Sequence, residues 1–417
     1  MTTGAEHLRV LYVDLAPGVG GSLISLSLLV QALDKRRFEP TVILAAGQPY
    51  AERLAELGAR VLTVPGRAGV NSPGADTPAV ARARRGRLAR WLRASPRREV
   101  WLHRMGFLVR ELPPALAMAD TLYRVLARER PALVHLNDAV AVSRPGILAA
   151  WRAGIPCLVH VRAFAPLNGL DRWLVRRAAG CIFISQATAA FQAGQGGRAR
   201  RSWVIPNGLE LGAFARMPAA AEARRSLGLV TAGPVVGAVG RLVAWKGHDV
   251  LLRAVALLRP EWPNLEAVIV GAPEARDPRP LAALQQLAAE LGLGGRAHFV
   301  GYRSDIPQVL AAFDVLVHSA IEPEPFGRVI IEGLAARVPV VAARAGAVPE
   351  ILTDGVDGLL VSPGDPAELA RAIGRLLADR DLAARLAAAG RARVEQTFTA
   401  EGVARAVERV YEELLCS

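Results

Sequence analysis

Two series of short apolar runs, each alternating with helix-like segments, limit the folds open to this chain. The first series has its runs at residues 8–15, 40–46, 60–64, 133–136, 156–161 and 181–185. The second has them at residues 235–239, 266–270, 298–300, 314–317, 338–342 and 358–361. Strands that alternate with helices favour parallel, doubly wound sheets. We therefore predict an α/β protein of two Rossmann-like domains, residues 1–206 and 207–399, with residues 209–232 as the connection between them.

The composition describes a compact globular protein, since 52% of its 417 residues are hydrophobic and 21% are charged. No apolar run approaches the roughly 20 residues that a membrane-spanning helix needs. Residues 1–6 lack the basic and apolar regions of a secretory signal. Cys157, Cys181 and Cys416 are widely spaced, which fits free thiols in a reducing compartment and gives no metal-ligand spacing. We expect a cytoplasmic protein.

Two glutamates, Glu324 and Glu332, lie eight positions apart. In this part of the second series the pattern passes from a strand at residues 314–319 to a helix at residues 328–336. Glu324 then lies in the loop, and Glu332 lies about two turns into the helix. Loops at the carboxyl ends of parallel strands bind ligands. This spacing would let the two carboxylates bind two separated parts of one long polar ligand. The alternative is a pair of solvated acids near a helix start, where acids are common.

Cations that suit a diphosphate follow the first strand of the second series, in the segment Gly-Arg-Leu-Val-Ala-Trp-Lys-Gly at residues 240–247. Arg241 can hold one phosphate by two hydrogen bonds, and Lys246 can neutralise the other as a point charge. A glycine turn with Gly20 and Gly21 precedes the first helix, where the backbone can approach a phosphate. A surface ion pair and a merely tight turn are the respective alternatives.

His160 is the remaining candidate, at the carboxyl end of the apolar run 156–161. A histidine in an apolar strand is either a packed core residue or a side chain that reaches a ligand at the strand end. The residues alone leave both readings open.

Residues 324–332 resemble the E-x7-E signature of retaining GT-B glycosyltransferases, especially family 4, and residues 240–247 resemble its G-R-L-x(3,4)-K-G motif. The resemblance covers nearly the whole chain and implies two domains facing a cleft, with the last helix, residues 400–417, returning to an acceptor-binding first domain. It implies that Glu332 binds the donor ribose, that Glu324 and His160 contact the transferred sugar, and that Arg241 and Lys246 stabilise the leaving diphosphate. The other donor-binding residues that it implies are Gly20, Gly21, Phe326, Gly327, Arg328 and Val329.

Two positions depart from the family pattern. Arg337 stands where the family carries a glycine after the E-x7-E helix, and the family's Gly-Gly pair ahead of Pro349 and Glu350 is here Ala345-Gly346-Ala347. If the helix still ends in a left-handed residue, we expect Arg337 to cost about 1 kcal/mol. No Asp-x-Asp pair flanked by strand residues is present, so we predict chemistry without a metal or other cofactor.

We therefore predict a retaining glycosyltransferase that moves a sugar from a nucleoside diphosphate donor to a saccharide or lipid-linked acceptor, in cell-surface polysaccharide or glycolipid synthesis. The alternatives are a non-catalytic nucleotide-sugar-binding subunit of a membrane assembly complex and another GT-B enzyme, a phosphorylase or an epimerase. A pyridoxal-type phosphorylase would need a cofactor lysine, and no candidate stands out.

Much of the net charge of +13 is concentrated in residues 82–110, which hold a single acid, Glu99. An apolar stripe at helical spacing, which begins at Trp101, lies beside these charges. We predict that the segment contacts an anionic membrane surface, on the inner face of the cytoplasmic membrane. An ordinary packed helix is the alternative, and we expect no nucleic-acid binding. The basic residues are Arg82, Arg84, Arg85, Arg87, Arg90, Arg93, Arg97, Arg98, Arg104 and Arg110.

Overall fold

The computed structural model describes residues 7–16, 20–65, 112–229, 233–273 and 277–416. The chain divides into two compact units. The first comprises Met1–Phe183, Ala190–Trp203 and Val407–Ser417, and the second comprises Ile184–Ala189 and Val204–Ala406. The arginine-rich segment lies outside the described residues, so the prediction of membrane contact stays a prediction.

The first unit is built on a seven-stranded sheet in the order β3-β2-β1-β4-β5-β6-β7. Every pair from β3 to β6 is parallel. The strands are β1 Leu8–Asp14, β2 Phe38–Ala45, β3 Arg60–Val64, β4 Leu133–Leu136, β5 Cys157–Val161, β6 Gly180–Phe183 and β7 Ser202–Val204. The helices between them are α1 Gly21–Ala32, α2 Ala51–Glu56, α3 Leu112–Glu129, α4 Val140–Ala153, α5 Gly169–Val175 and α6 Gln186–Gly194.

The second unit is built on a six-stranded parallel sheet in the order β10-β9-β8-β11-β12-β13. Its strands are β8 Val235–Val239, β9 Glu266–Val270, β10 Ala297–Gly301, β11 Val315–His318, β12 Val340–Ala343 and β13 Leu359–Val361. Its helices are α7 Ala220–Ser226, α8 His248–Leu258, α9 Arg279–Glu290, α10 Ile306–Ala311, α11 Arg328–Ala335, α12 Val348–Ile351, α13 Pro366–Ala378 and α14 Arg380–Thr397; α15 Ala400–Leu415 follows. In each sheet the order of the strands reverses once, between β1 and β4 in the first and between β8 and β11 in the second. The predicted doubly wound α/β class is therefore confirmed.

Local sequence signals explain where several helices begin and end. Asp365 caps α13 by accepting from the backbone N–H groups of Ala367 and Glu368 at 2.9 Å, with Pro366 in the first turn, as its pattern predicts. Arg337 has a φ of +57°, so the helix α11 does end in a left-handed residue without the glycine that usually occupies such a position. The expected strain is therefore present in the backbone.

The described part of the predicted connection, residues 209–229, packs on the second unit, since Phe214, Ala223 and Leu227 are buried in the core of that unit. Strand β7 was not predicted, because Ser202–Val204 is short and its first and last residues are exposed, so it carries no apolar run. The expected return of the last helix to the first domain is confirmed for Val407–Ser417, which belong to the first unit.

Candidate active site

Several of the predicted site residues lie at the edge of the second sheet, at the point where the strand order reverses. Strands β8 and β11 are neighbours there, although β9 and β10 lie between them in sequence. Ser319 donates from its hydroxyl to the carbonyl of Lys246 at 3.1 Å, and the N–H of Ile321 donates to the carbonyl of Trp245 at 2.9 Å. The loops that follow the two strands are thus tied together at the position where open α/β sheets bind ligands.

Lys246 and Glu324 form an ion pair at this edge, with 2.5 Å between Nζ and Oε2. His318, the last residue of β11, also contacts the same carboxylate oxygen through Nε2 at 3.2 Å. All three side chains are largely buried, with exposed fractions of 17% for Lys246 and 10% for Glu324. The sequence predicted Lys246 and Glu324 as two separate contacts to a donor, whereas the structure joins them in one cluster.

The carboxyl of Glu324 is held ionised. Burial acts to raise its pKa, but the hydrogen bond from His318 and the charge of Lys246 outweigh burial and lower the pKa to about 2. The free Nδ1 of His318 has no partner among the described residues. At such a strand edge, a buried carboxylate can accept hydrogen bonds from ligand hydroxyl groups. A buried ammonium can donate hydrogen bonds to phosphate oxygens.

Two glycines permit the close packing of this loop cluster. Gly247 has a φ of +64°, and a Cβ there would overlap the carbonyl oxygen of Ser319. Gly346 has a φ of +62°, and a Cβ there would overlap the backbone of Glu324. The N–H of Ala347 then donates to the carbonyl of Glu324 at 2.9 Å. Since Gly346 is a glycine in this chain too, the departure from the Gly-Gly pattern leaves this contact intact.

Arg241 lies in the same loop, five positions before Lys246, and its side chain is exposed at the surface of the second unit. Its carbonyl accepts a hydrogen bond from Nε2 of His248 at 3.1 Å, which fixes the backbone that carries it. Burial lowers the pKa of His248 to about 4, so this imidazole is neutral and Nε2 carries its proton. Arg241 and Lys246 therefore come from one short, anchored segment.

The remaining predicted donor residues in the second unit lie on α11 or in the loop before it. Glu332 and Arg328 form a pair on α11, with 3.3 Å between Nη2 and Oε1, and both side chains retain some exposure. Phe326 and Val329 are buried in the core of the unit. Gly327 precedes α11 with a φ of +101°, which lets the loop turn into the helix. Glu332 is not part of the cluster of Lys246, Glu324 and His318. It lies on α11, the helix that follows Glu324 in the chain.

The first unit has a comparable polar edge, where β1, β4 and β5 end side by side. Asn137, just after β4, donates from Nδ2 to Asp14 at 2.8 Å and to the carbonyl of Ser22 at 3.1 Å. Arg162, just after β5, donates from Nε to Oδ1 of Asn137 at 2.7 Å. Gly20 and Gly21 lie at the start of α1 next to this edge. The strand order reverses here as well.

His160 is buried in β5 and contacts Arg162 and His135 through Nδ1, at 3.2 and 3.1 Å. Burial, with the charge of Arg162 beside it, lowers the pKa of His160 well below its usual value, so the ring is neutral. Its Nε2 has no partner among the described residues. The reading as a satisfied core histidine does not account for this unpaired atom.

Comparisons with known proteins agree with the architecture. The model for Glycosyl transferases group 1 matches residues 220–393, and that for Glycosyltransferase Family 4 matches residues 94–212. The lipopolysaccharide core biosynthesis glycosyltransferase LpsE of Rhizobium meliloti is 31% identical over 74% of this chain and 87% of its own length. The chain belongs to the group 1 glycosyl transferases.

This glycosyltransferase is also similar to the 2-deoxystreptamine glucosyltransferase of Streptomyces kanamyceticus, with 32% identity over 63% of the chain and 73% of that protein. Among solved structures, Anabaena HepE in complex with UDP-glucose superposes with a TM-score of 0.77, at 26% identity, over 98% of this chain and all of that chain. The predicted GT-B fold and the assignment as a transferase enzyme are confirmed.

Several polar residues of the glycosyltransferase were not predicted as functional, namely His318 in the second unit and Asp14, Asn137, Asp138 and Arg162 in the first. Each lies at or directly after the carboxyl end of a strand. Burial, reinforced by the charge of Asp14, raises the pKa of Asp138 to about 6, although the N–H of Ala139 acts to lower it. Strand-end position was the sequence signal that could have identified them.

Membrane-spanning helices are not found in the part of the glycosyltransferase that the structure describes: no helix there is both long and apolar enough.

Proposed function

We propose that this glycosyltransferase transfers a sugar from a nucleoside diphosphate sugar to an acceptor hydroxyl with retention of configuration. The observation that carries the proposal is the buried Lys246–Glu324 pair beside His318, at the strand-order reversal of the second sheet. Likeness to HepE, whose structure contains UDP-glucose, supports a nucleoside diphosphate donor.

In this proposal the donor's diphosphate lies against Arg241 and Lys246. As the bond to the sugar breaks, negative charge develops on the leaving phosphate, and two cations fixed in one anchored loop stabilise it without reorganising. Glu324 accepts hydrogen bonds from hydroxyls of the transferred sugar, and Glu332 accepts them from the ribose. The acceptor oxygen attacks from the side of the departing diphosphate, which preserves the configuration.

We further propose that the reaction needs no divalent metal, because Arg241 and Lys246 supply the positive charge that a metal would otherwise bring to the diphosphate. The turnover should be nearly unchanged in EDTA. Strong inhibition by EDTA that manganese reverses would contradict this part of the proposal.

The acceptor is proposed to be a saccharide or lipid-linked molecule of cell-surface polysaccharide or glycolipid synthesis, at the cytoplasmic membrane. The relation to LpsE, a lipopolysaccharide core biosynthesis glycosyltransferase, supports this class. The 2-deoxystreptamine glucosyltransferase shows that a relative of similar identity acts on a different acceptor, so an acceptor screen should include small aminocyclitols.

The test has two stages. A thermal-shift screen of UDP-, GDP- and ADP-sugars identifies the donor, because a ligand at 100 times its dissociation constant adds about 2.7 kcal/mol of stability. Release of nucleoside diphosphate is then followed with acceptor present, and the anomeric configuration of the product is read by NMR. Retention and loss of release in Glu324→Ala are expected; an inverted product, or full release by Glu324→Ala, would contradict the proposal.

A further inference from the structure

A chain of buried polar groups in the first unit ends at His160. It runs through Tyr12 on β1, Tyr411 on α15, and His135 on β4, all fully buried. The hydroxyl oxygens of Tyr12 and Tyr411 are 3.0 Å apart, Tyr411 lies 2.6 Å from Nδ1 of His135, and Nε2 of His135 lies 3.1 Å from Nδ1 of His160. Four secondary-structure elements thus meet in one line of hydrogen bonds.

The directions of the hydrogen bonds that join Tyr411, His135 and His160 follow from Arg162. Its guanidinium has only donors, and Nη2 lies 3.2 Å from Nδ1 of His160, so that nitrogen must accept. A proton on Nδ1 would point at the guanidinium hydrogens in a buried site, where the repulsion is poorly screened. Arg162 itself is oriented by Asn137, whose amide nitrogen is committed to Asp14 and Ser22.

The same logic fixes the next two residues. Because Nδ1 of His160 accepts, Nε2 of His135 donates to it, and Nδ1 of His135 then has no proton. The hydroxyl of Tyr411 must donate to that nitrogen, 2.6 Å away, and its oxygen lies 3.0 Å from the hydroxyl oxygen of Tyr12. Burial lowers the pKa of His135 to about 3, with the charge of Arg162 adding to the effect, so His135 stays neutral.

One buried ring nitrogen in this line, Nε2 of His160, makes no hydrogen bond to the described residues. The proton of His160 is on Nε2, which is buried and has no partner among the described residues. An unmade hydrogen bond by a buried donor is costly, so a position that keeps one is expected to meet a ligand oxygen.

We propose that Tyr411 and His135 are positioning residues that hold His160 as a neutral Nε2–H donor toward a ligand oxygen. The inference rests on the proposed function for the identity of that ligand, a sugar hydroxyl. The tautomer of His160 does not depend on the identity of that ligand. Tyr411 on α15 thereby determines, through His135, which ring nitrogen of His160 carries the proton.

The direct test is imidazole ¹⁵N NMR of the ¹⁵N-histidine-labelled protein without substrate, with the two signals assigned from His160→Gln and His135→Gln. Both rings are expected in the Nε2–H form. An Nδ1–H ring at position 160 would overturn the inference whether or not the protein transfers sugar, and the expected tautomers in a protein without transferase activity would overturn only the proposed function.

The positioning step is tested with Tyr411→Phe, which keeps the buried ring and removes the hydroxyl that donates to His135. We expect the Nε2–H form of His135 to lose its preference, and kcat to fall about tenfold while the donor KM stays within about twofold. Tyr12→Phe is the matched control, because it leaves the Tyr411–His135 bond in place and should change neither tautomers nor kcat. Unchanged tautomers and kcat in Tyr411→Phe, or equal losses in both variants, would overturn the role of Tyr411.

Discussion

The Lys246–Glu324 pair leads to a prediction that separates a shared site from two independent contacts. Lys246→Ala removes a cation 2.5 Å from the carboxylate and leaves Glu324 buried without that partner. An incoming phosphate then meets an unshielded negative charge. At an effective dielectric constant near 20, two unit charges about 4 Å apart repel by about 4 kcal/mol. We expect Lys246→Ala to weaken nucleoside diphosphate binding and turnover about 100-fold or more.

Removing the negative charge as well should restore part of this loss. Glu324→Gln keeps the side chain's shape and its contact with His318 but carries no charge. In the Lys246→Ala background we therefore expect Glu324→Gln to strengthen nucleoside diphosphate binding about tenfold, although it weakens turnover in the wild type. The two substitutions should thus be strongly non-additive, as neighbouring charges usually are.

The assay is a double-mutant cycle, with dissociation constants for the nucleoside diphosphate measured by calorimetry in all four proteins. Lys35→Ala is the control, since Lys35 is the chain's other lysine and its Nζ instead donates to the carbonyls of Val30 and Gln31. A coupling energy below about 0.5 kcal/mol would refute the shared site and show that the diphosphate does not approach this pair.

Further outcomes can be checked separately. Arg337→Gly should stabilise the protein by about 1 kcal/mol in urea unfolding because it relieves a left-handed backbone, whereas Arg337→Ala should bring no such gain. Glu332→Ala should raise the donor KM with little change in kcat, since ribose contacts change little toward the transition state; a fall in kcat alone would contradict that role. The pKa of Glu324 is lowered from 4.5 to about 2, so about 3 kcal/mol of stability, fully present above pH 4.5, should be lost as the pH falls through about 2; Glu324→Gln should lack this part of the acid transition. Sedimentation with anionic vesicles at about 0.1 M salt, and its loss at about 1 M, would support membrane contact, and wild-type protein left in the supernatant at low salt would contradict it. The vesicle test compares the wild type with a variant in which glutamine replaces Arg84, Arg85, Arg87 and Arg90.

Strand positions were predictable where buried parallel strands produce continuous apolar runs. Leu133–Leu136, Val235–Val239 and Glu266–Val270 lie where the pattern placed them, because both faces of such strands are covered. The short strand Ser202–Val204 was missed because it is mostly exposed. The packing of residues 209–229 was not predicted, because an Ala- and Arg-rich composition does not show which few side chains are buried.

The candidate site was predictable only as separate pieces. Lys246 and Glu324 were both selected, but their contact depends on β8 and β11 being neighbours, and alternation of strands and helices does not determine strand order. His318 and His135 were not selected because each lies within an apolar strand, where a histidine is usually part of the core. Only the tertiary structure shows what these rings contact.

The distribution of the first unit along the chain has a consequence for biosynthesis. Val407, Val410 and Tyr411 are buried in that unit, and Glu408 accepts the backbone N–H of Asp34 at 2.7 Å. These groups are synthesised only after the whole second unit has been made. The first unit therefore cannot complete its core until residues 407–411 have left the ribosome, and a fragment ending at residue 203 would lack the contacts that Tyr411 makes with Phe38 and His135.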